Sequence, residues 1–140
     1  MLIRQATVED ADEIARLFTL LGHPATADSV RERWHSWEAE GNSALVVVRD
    51  EPALAGVATL HRTRVLHRPR PVGPLTGVVI DEDLRGQGIG RALIATAEQR
   101  LKQEGCGMVE VTSNMTRDRA HAFYERLGYT RTSFRFAKDV

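Results

Sequence analysis

Apolar positions change period along this chain, and each change marks an element. Residues 2–6 read as a short first strand. Thr7, followed three residues later by Asp10, is close to a capping box, and Glu9, Asp10, Asp12 and Glu13 sit where a helix dipole favours acids. Ala11, Ile14, Leu17, Phe18 and Leu21 then keep helical spacing until Gly22 ends the run. After a break at His23, Pro24 and Ala25, Thr26 or Asp28 can cap a second helix, with Val30, Trp34 and Trp37 on one face and an end near Gly41. Residues 45–49 and 55–61 read as two strands of a hairpin turning at Asp50, Glu51 and Pro52. A basic, proline-rich connection over 62–74 leads to a central strand over 75–80. Ile89, Leu93, Ala97 and Leu101 are the stripe of a third helix. A strand over 108–112, a helix over 118–127 stopped by Gly128, and a strand or strand pair over 129–137 complete the chain. The order βααβββαβαβ predicts an α+β fold around one mixed sheet.

Composition narrows this picture. A length of 140 residues suits one domain with one core, spanning 1–140, and no repeat, low-complexity segment or linker interrupts it. Nineteen Lys and Arg balance nineteen Asp and Glu, so net charge gives no sign of a nucleic-acid partner. The one cysteine, Cys106, can form no internal disulfide, which fits a reducing compartment and a small core filler. Neither a basic leader with an apolar run nor a bilayer-length apolar span is present, so the expectation is a cytoplasmic protein without a membrane partner. His23, His35 and His67 lack metal-ligand spacing, and no metal is expected.

The densest candidate chemistry follows the central strand. Val78, Val79 and Ile80 lead into Asp81, Glu82 and Asp83, then Arg85, Gly86, Gln87, Gly88, Ile89, Gly90 and Arg91 open the third helix. Strand, glycine turn and helix N-terminus in that order offer unpaired backbone N–H groups and the positive end of a helix dipole to an anion. No Lys-Ser or Lys-Thr follows the glycines, which excludes a P-loop. The glycines run G-x-G-x-G rather than G-x-G-x-x-G, which argues against a dinucleotide fingerprint. Arg85, Gly88 and Gly90 spell R-x-x-G-x-G, and this resembles the pyrophosphate loop of the GCN5-related N-acetyltransferase (GNAT) superfamily. The order of elements resembles that superfamily too, over nearly the whole chain.

A second signature lies downstream. Phe123-Tyr124-Glu125-Arg126-Leu127-Gly128-Tyr129 resembles the superfamily's FYxxLGF/Y element. The resemblance implies acetyl-coenzyme A as cosubstrate and a primary amine of a small molecule as acceptor, attacking directly with no acyl-enzyme. It implies that Arg85 to Arg91 bind the diphosphate and that Val78, Val79 and Ile80 offer main-chain contacts to the pantetheine arm. Tyr124 would protonate the departing thiolate. Relatives often carry Asn seven residues before the tyrosine; here that position is Arg117, and the nearest asparagine is Asn114. The run from Thr112 to Tyr129 resembles a subgroup that includes aminoalkylphosphonate N-acetyltransferases, which implies a coenzyme role for Asn114 and Arg117. A homodimer built through the last strand also fits the family.

The general base is not marked. Many relatives place a carboxylate where this chain has Thr76 and Gly77, and neither can serve as one. Glu110, His61 and a water chain are the candidates, His having the best-matched intrinsic pKa. Four Arg and two His between His61 and Arg70 form either a solvated hairpin or a docking patch for an acidic substrate. Base-stacking aromatics are missing there, so nucleic acid is not expected. A non-catalytic acyl-coenzyme A sensor on the same fold, and a protein N-acetyltransferase, remain as alternatives.

Overall fold

The computed structural model describes residues 1–112 and 118–140. Its elements are β1 (Leu2–Gln5), α1 (Ala11–Leu21), α2 (Ala27–Ala39), β2 (Ser43–Asp50), β3 (Ala53–Leu60), β4 (Val72–Leu75), β5 (Val79–Ile80), α3 (Ile89–Gln103), β6 (Met108–Val111) and α4 (Asp118–Arg126). The sheet runs β1-β2-β3-β4-β6, with β5 also paired to β3. Every pairing is antiparallel except β4 with β6. This is the expected α+β class, a mostly antiparallel sheet flanked by helices.

Local chemistry explains the helix starts. Thr7 and Asp10 do form a capping box, but around a single 3-10 turn at Val8–Asp10 that leads into α1. At α2 the cap is Thr26, whose hydroxyl accepts the Ser29 N–H at 3.1 Å. Gly22 takes the left-handed conformation, φ 99°, and closes α1.

Both faces of β2 and β3 are buried, so their apolar residues run without alternation. Ile14, Leu17 and Trp34 from α1 and α2 pack on Val46, Val57 and Val79. On the other face Leu93, Ile94, Ala97 and Leu101 of α3 pack on Leu45, Val47, Ala58, Leu60 and Leu75. Among the described residues no helix is long and apolar enough to cross a membrane.

Two expected strands differ. Residues 75–80 are not one strand: β4 begins inside the expected connection, at Val72, and β5 resumes at Val79. On β3 the step from Val57 to Leu60 is three residues, while their partners Val79 and Leu75 are four apart. One extra residue is therefore accommodated around Thr76–Val78, which is a β-bulge. The bulge leaves no trace in the local sequence, because it is set by the pairing with β3. The second difference is the end of the chain, where residues 129–140 form no strand. Phe134 and Phe136 alternate with Arg135 as strand residues do, yet stay 78% and 93% exposed. Alternation expresses a local preference, and a strand also needs a ladder of partners.

One ion cluster ties the first strand to this frame. The Arg4 guanidinium donates to both Asp10 carboxylate oxygens, at 2.9 and 2.8 Å, and to Glu51 at 3.0 Å. Asp10, only 8% exposed, also accepts the Thr7 N–H at 2.9 Å. The Arg4 hydrogen bonds outweigh burial and hold Asp10 below the usual carboxylate range. Its contribution to stability is thus complete above the unfolded pKa of ~3.9 and is lost as pH falls through the lower folded value. Asp10→Asn is expected to cost about 2 kcal/mol at neutral pH, the low side for a broken buried pair because Arg4 is partly exposed. Urea midpoints of the two proteins should converge as pH drops below ~4; equal midpoints at neutral pH would refute the assignment.

Candidate active site

The glycine turn is rigidly anchored and open on its outer side. Where β5 ends, the Asp81 N–H bonds to the Ala55 carbonyl at 2.7 Å. The Asp81 carboxylate accepts the Glu82 N–H at 2.9 Å and an Arg16 N–H at 3.0 Å. Burial pushes the Asp81 pKa up, but the hydrogen bond and charge of Arg16 outweigh it and the net shift is downward. Arg16 also donates to Glu13 and to the Leu54 carbonyl, so α1 clamps the strand end from beneath. Arg85 folds back and donates from Nε to the Ile80 carbonyl at 3.2 Å. The side chain stays exposed, and this bond ties it to the strand end before the turn.

Gly86 and Gly88 both sit in the left-handed region, φ +79° and +80°, and a β-carbon on either would meet nothing within 4 Å. Gly88 caps α3 with no side chain, so the first N–H groups of that helix, from Ile89, Gly90 and Arg91, face the open turn without intrahelical partners. Gly90 serves packing instead. A β-carbon there would approach Phe123 Cζ to 3.2 Å, so its bareness seats the start of α3 against α4. Gln87 and Arg91 are exposed beside the turn.

The strand leading to this turn offers main chain rather than side chains. Val79 is buried beneath α1, and Val78 and Ile80 pack on the α3 side. Asp81 N–H bonds to β3, so strand alternation turns the Ile80 N–H the other way. Among the described residues, β6 on that side pairs with β4 only, from Val72 to Leu75. Among those residues the bulge and the end of β6 therefore leave a main-chain edge beside the glycine turn.

Tyr124 is half-buried on α4 and packs edge-on against Phe123 and Tyr129, with ring centroids 5.3 and 5.9 Å away. The helix closes in a Schellman arrangement at Gly128, φ +95°, with Tyr129 N–H bonded to the Tyr124 carbonyl at 3.0 Å. Tyr129 donates to Glu98 on α3 at 2.6 Å, which pins this end of α4. Burial and Glu98 both push the Tyr129 hydroxyl above its ordinary pKa. Asn114 and Arg117 lie outside the described residues.

A cavity of about 370 Å³ opens between α1, α2 and the sheet. Phe18, Trp34 and Trp37 form its apolar walls, Arg33 stands at its side, and Thr59, Thr76 and Gly77 line it from the sheet. The Trp34 and Trp37 pair, expected as core, divides between core and cavity wall: Trp34 is buried, while Trp37 is half-buried and edge-on to His61. The base candidates separate here. Glu110 is exposed and lines a second groove with Thr63, His67 and Arg68, within the basic segment. His61 is hydrogen-bonded through Nε2 to the Thr76 hydroxyl and so reaches the floor of the first cavity.

Thr59, Arg33 and Asn42 had no part in the expectations from sequence. Thr59 did leave a signal, a lone hydroxyl in the otherwise apolar strand 53–60. Thr76 entered them only as a position that cannot itself be a base, and its direction depends on the bulge.

Comparison with known proteins agrees with this geometry. Residues 9–129 match the model of the "Acetyltransferase (GNAT) family". The chain is 31% identical over 139 residues to an aminoalkylphosphonate N-acetyltransferase of Salmonella typhimurium, covering 99% of this chain and 90% of that protein. It is 32% identical over 133 residues to an aminoglycoside N(6')-acetyltransferase type 1 of Stenotrophomonas maltophilia, covering 93% and 86%. The fold matches a crystal structure of a Trypanosoma brucei acetyltransferase with a TM-score of 0.85, at 24% identity and 99% of both chains. The anchored glycine turn, the bulged strand beside it and these similarities agree: this chain belongs to the GNAT family of acetyltransferases.

Proposed function

We propose that the chain transfers acetyl from acetyl-coenzyme A to a primary amine on a small molecule. The observation that carries this reading is the open glycine turn at the start of α3, set beside a main-chain edge left by the bulge. The coenzyme supplies an activated thioester. The N–H groups at the start of α3, with Gly86 and Gly88, would take its diphosphate, because no β-carbon obstructs the approach. Arg91 and Gln87 flank that contact, and Arg85 keeps the turn in shape through Ile80. Main-chain groups of Val78, Val79 and Ile80 would align the pantetheine arm as an added strand. The Ile80 N–H, aimed away from β3, would stabilise the negative charge that develops on the acetyl oxygen. The Tyr124 hydroxyl would donate its proton to the leaving thiolate.

The acceptor would enter the cavity under α1 and α2. Its aromatic walls suit a compact amine, and among the described residues no Asp or Glu lines it to attract a polycation. Arg33 supplies a fixed positive charge on its lining and favours an acceptor that also carries an anionic group. This supports the aminoalkylphosphonate relative as the better guide of the two. Arg33→Ala is expected to raise KM for an aminoalkylphosphonate about tenfold and to leave KM for an uncharged alkylamine unchanged. Equal changes for both would remove Arg33 from acceptor recognition.

The direct experiment is release of free thiol from acetyl-coenzyme A in the presence of pooled primary amines, with aminoalkylphosphonates as one pool. Release that depends on one pool establishes the enzyme and its acceptor class. Coenzyme binding by calorimetry with no release from any pool would make the chain a binding module instead.

A further inference from the structure

An alkylammonium acceptor must lose a proton before it can attack, and among the described residues no carboxylate lines the cavity to take it. The hydrogen bonds at the cavity floor define another route. Asn42 Nδ2 donates to the Trp37 carbonyl at 3.0 Å, an acceptor only, so Asn42 must present Oδ1 to His61. Asn42 Oδ1 lies 2.7 Å from His61 Nδ1, which therefore carries the hydrogen. In neutral His61 this leaves Nε2 bare. The Thr76 hydroxyl, bonded to Nε2, must then be the donor. Thr76 has one proton and has spent it on His61. The Thr59 hydroxyl, 2.8 Å from Thr76 Oγ1, must therefore donate to Thr76. Every bond points the same way, from the cavity to the imidazole. At the cavity end, Thr59 is only 9% exposed but lines the cavity beside Gly77, where a β-carbon would sit 2.9 Å from Phe18 Cε1 and 3.0 Å from Thr59 Oγ1.

We propose that Thr59, Thr76 and His61 form a directional proton relay that deprotonates the acceptor ammonium, its direction set by Asn42. The relay rests on the transferase reading above. An ammonium N–H bond at the cavity floor breaks toward Thr59 Oγ1. The Thr59 proton passes to Thr76, and the Thr76 proton to His61 Nε2. The products are a neutral amine in the cavity and an imidazolium at His61, with charge and atoms conserved. The half-buried ring then yields the proton to water. Among the described residues the partners of His61 are Trp37 from α2, Asn42 from the turn before β2, and Thr76, all uncharged, and the neighbouring Arg62 is exposed. Burial lowers the His61 pKa, which keeps Nε2 an acceptor at neutral pH. Thr59 is the group that would touch substrate; Thr76, His61 and Asn42 are positioning and relay residues.

Nitrogen-15 NMR of the imidazoles, on the intact chain, tests the direction without any assay. The expected result is the Nδ1–H tautomer at His61, and an Nε2–H tautomer would overturn the relay. Kinetics test its use. The acid limb of kcat/KM should coincide with the His61 pKa read by NMR. Asn42→Asp places a carboxylate on Nδ1 and should move both upward together by about one pH unit. Thr76→Val should lower kcat ~30-fold and abolish the limb, with coenzyme KM unchanged, while Thr76→Ser restores it. Acetyl transfer whose pH profile ignores Asn42→Asp and Thr76→Val would overturn the relay and leave the transferase standing. A wild-type chain inactive on every amine would overturn the transferase, and the relay's role with it.

Discussion

Tyr124→Phe is expected to lower kcat by ~100-fold or more, the scale of a positioned general acid, while coenzyme affinity changes less than about threefold. The ring is held by Phe123 on its own helix and by Tyr129, itself fixed to Glu98 across the α3–α4 contact. Phenylalanine fills the same space, so any loss reports the hydroxyl and not the packing. The measurement is steady-state thiol release beside calorimetric titration of the coenzyme. Matching losses in kcat and affinity would reassign Tyr124 to coenzyme binding, and an unchanged kcat would leave the thiolate to depart without it. Tyr129→Phe is the useful companion, because it removes the anchor to Glu98 and keeps the proposed acid.

The largest loss of stability is expected from Leu93→Ala. Leu93 is fully buried, 0% exposed, in the layer where α3 meets β2, β3 and β4. Truncation removes buried methyl and methylene groups and leaves a cavity that rigid surroundings cannot fill, at a cost of about 3 kcal/mol. That is a large part of the net stability of a domain this size. Urea denaturation should show a lower midpoint with an unchanged slope. A coenzyme that binds the folded state should raise the midpoints of wild type and variant alike, so the difference persists at saturation. A loss below about 1 kcal/mol would mean that α3 can settle onto the sheet without this side chain.

Much of the architecture was legible because it is local. The spacing of Ala11, Ile14, Leu17 and Leu21, the box at Thr7 and Asp10, and the stops at Gly22 and Gly128 depend on neighbours within one turn. The glycine turn was legible for the same reason. Gly86, Gly88 and Gly90 follow a β-branched run and precede an amphipathic stripe, and each of those signals is short-range. Tyr124 stood out through the resemblance of residues 123–129 to a family element, and its role belongs to the proposal.

The cavity and its floor were not. Thr59 and Thr76 are seventeen residues apart, and the pairing of β3 with the bulged chain brings their hydroxyls together. His61 opens a basic segment that reads as a solvated hairpin, yet its ring turns inward between Asn42, Trp37 and Thr76. Glu110, from sequence another candidate, faces the other groove beside Arg68. The terminal residues erred in the opposite sense: Phe134, Arg135 and Phe136 carry a strand pattern, and no ladder receives them.

By itself, then, the sequence determined the helices, most of the strands, the glycine turn and the family resemblance, because periodicity, caps and glycines act over a few residues. The tertiary structure alone decided the bulge between Leu75 and Val79, the walls of the cavity and the orientation of His61. Each of these depends on pairings between distant segments, and one extra residue in a strand redirects every side chain after it.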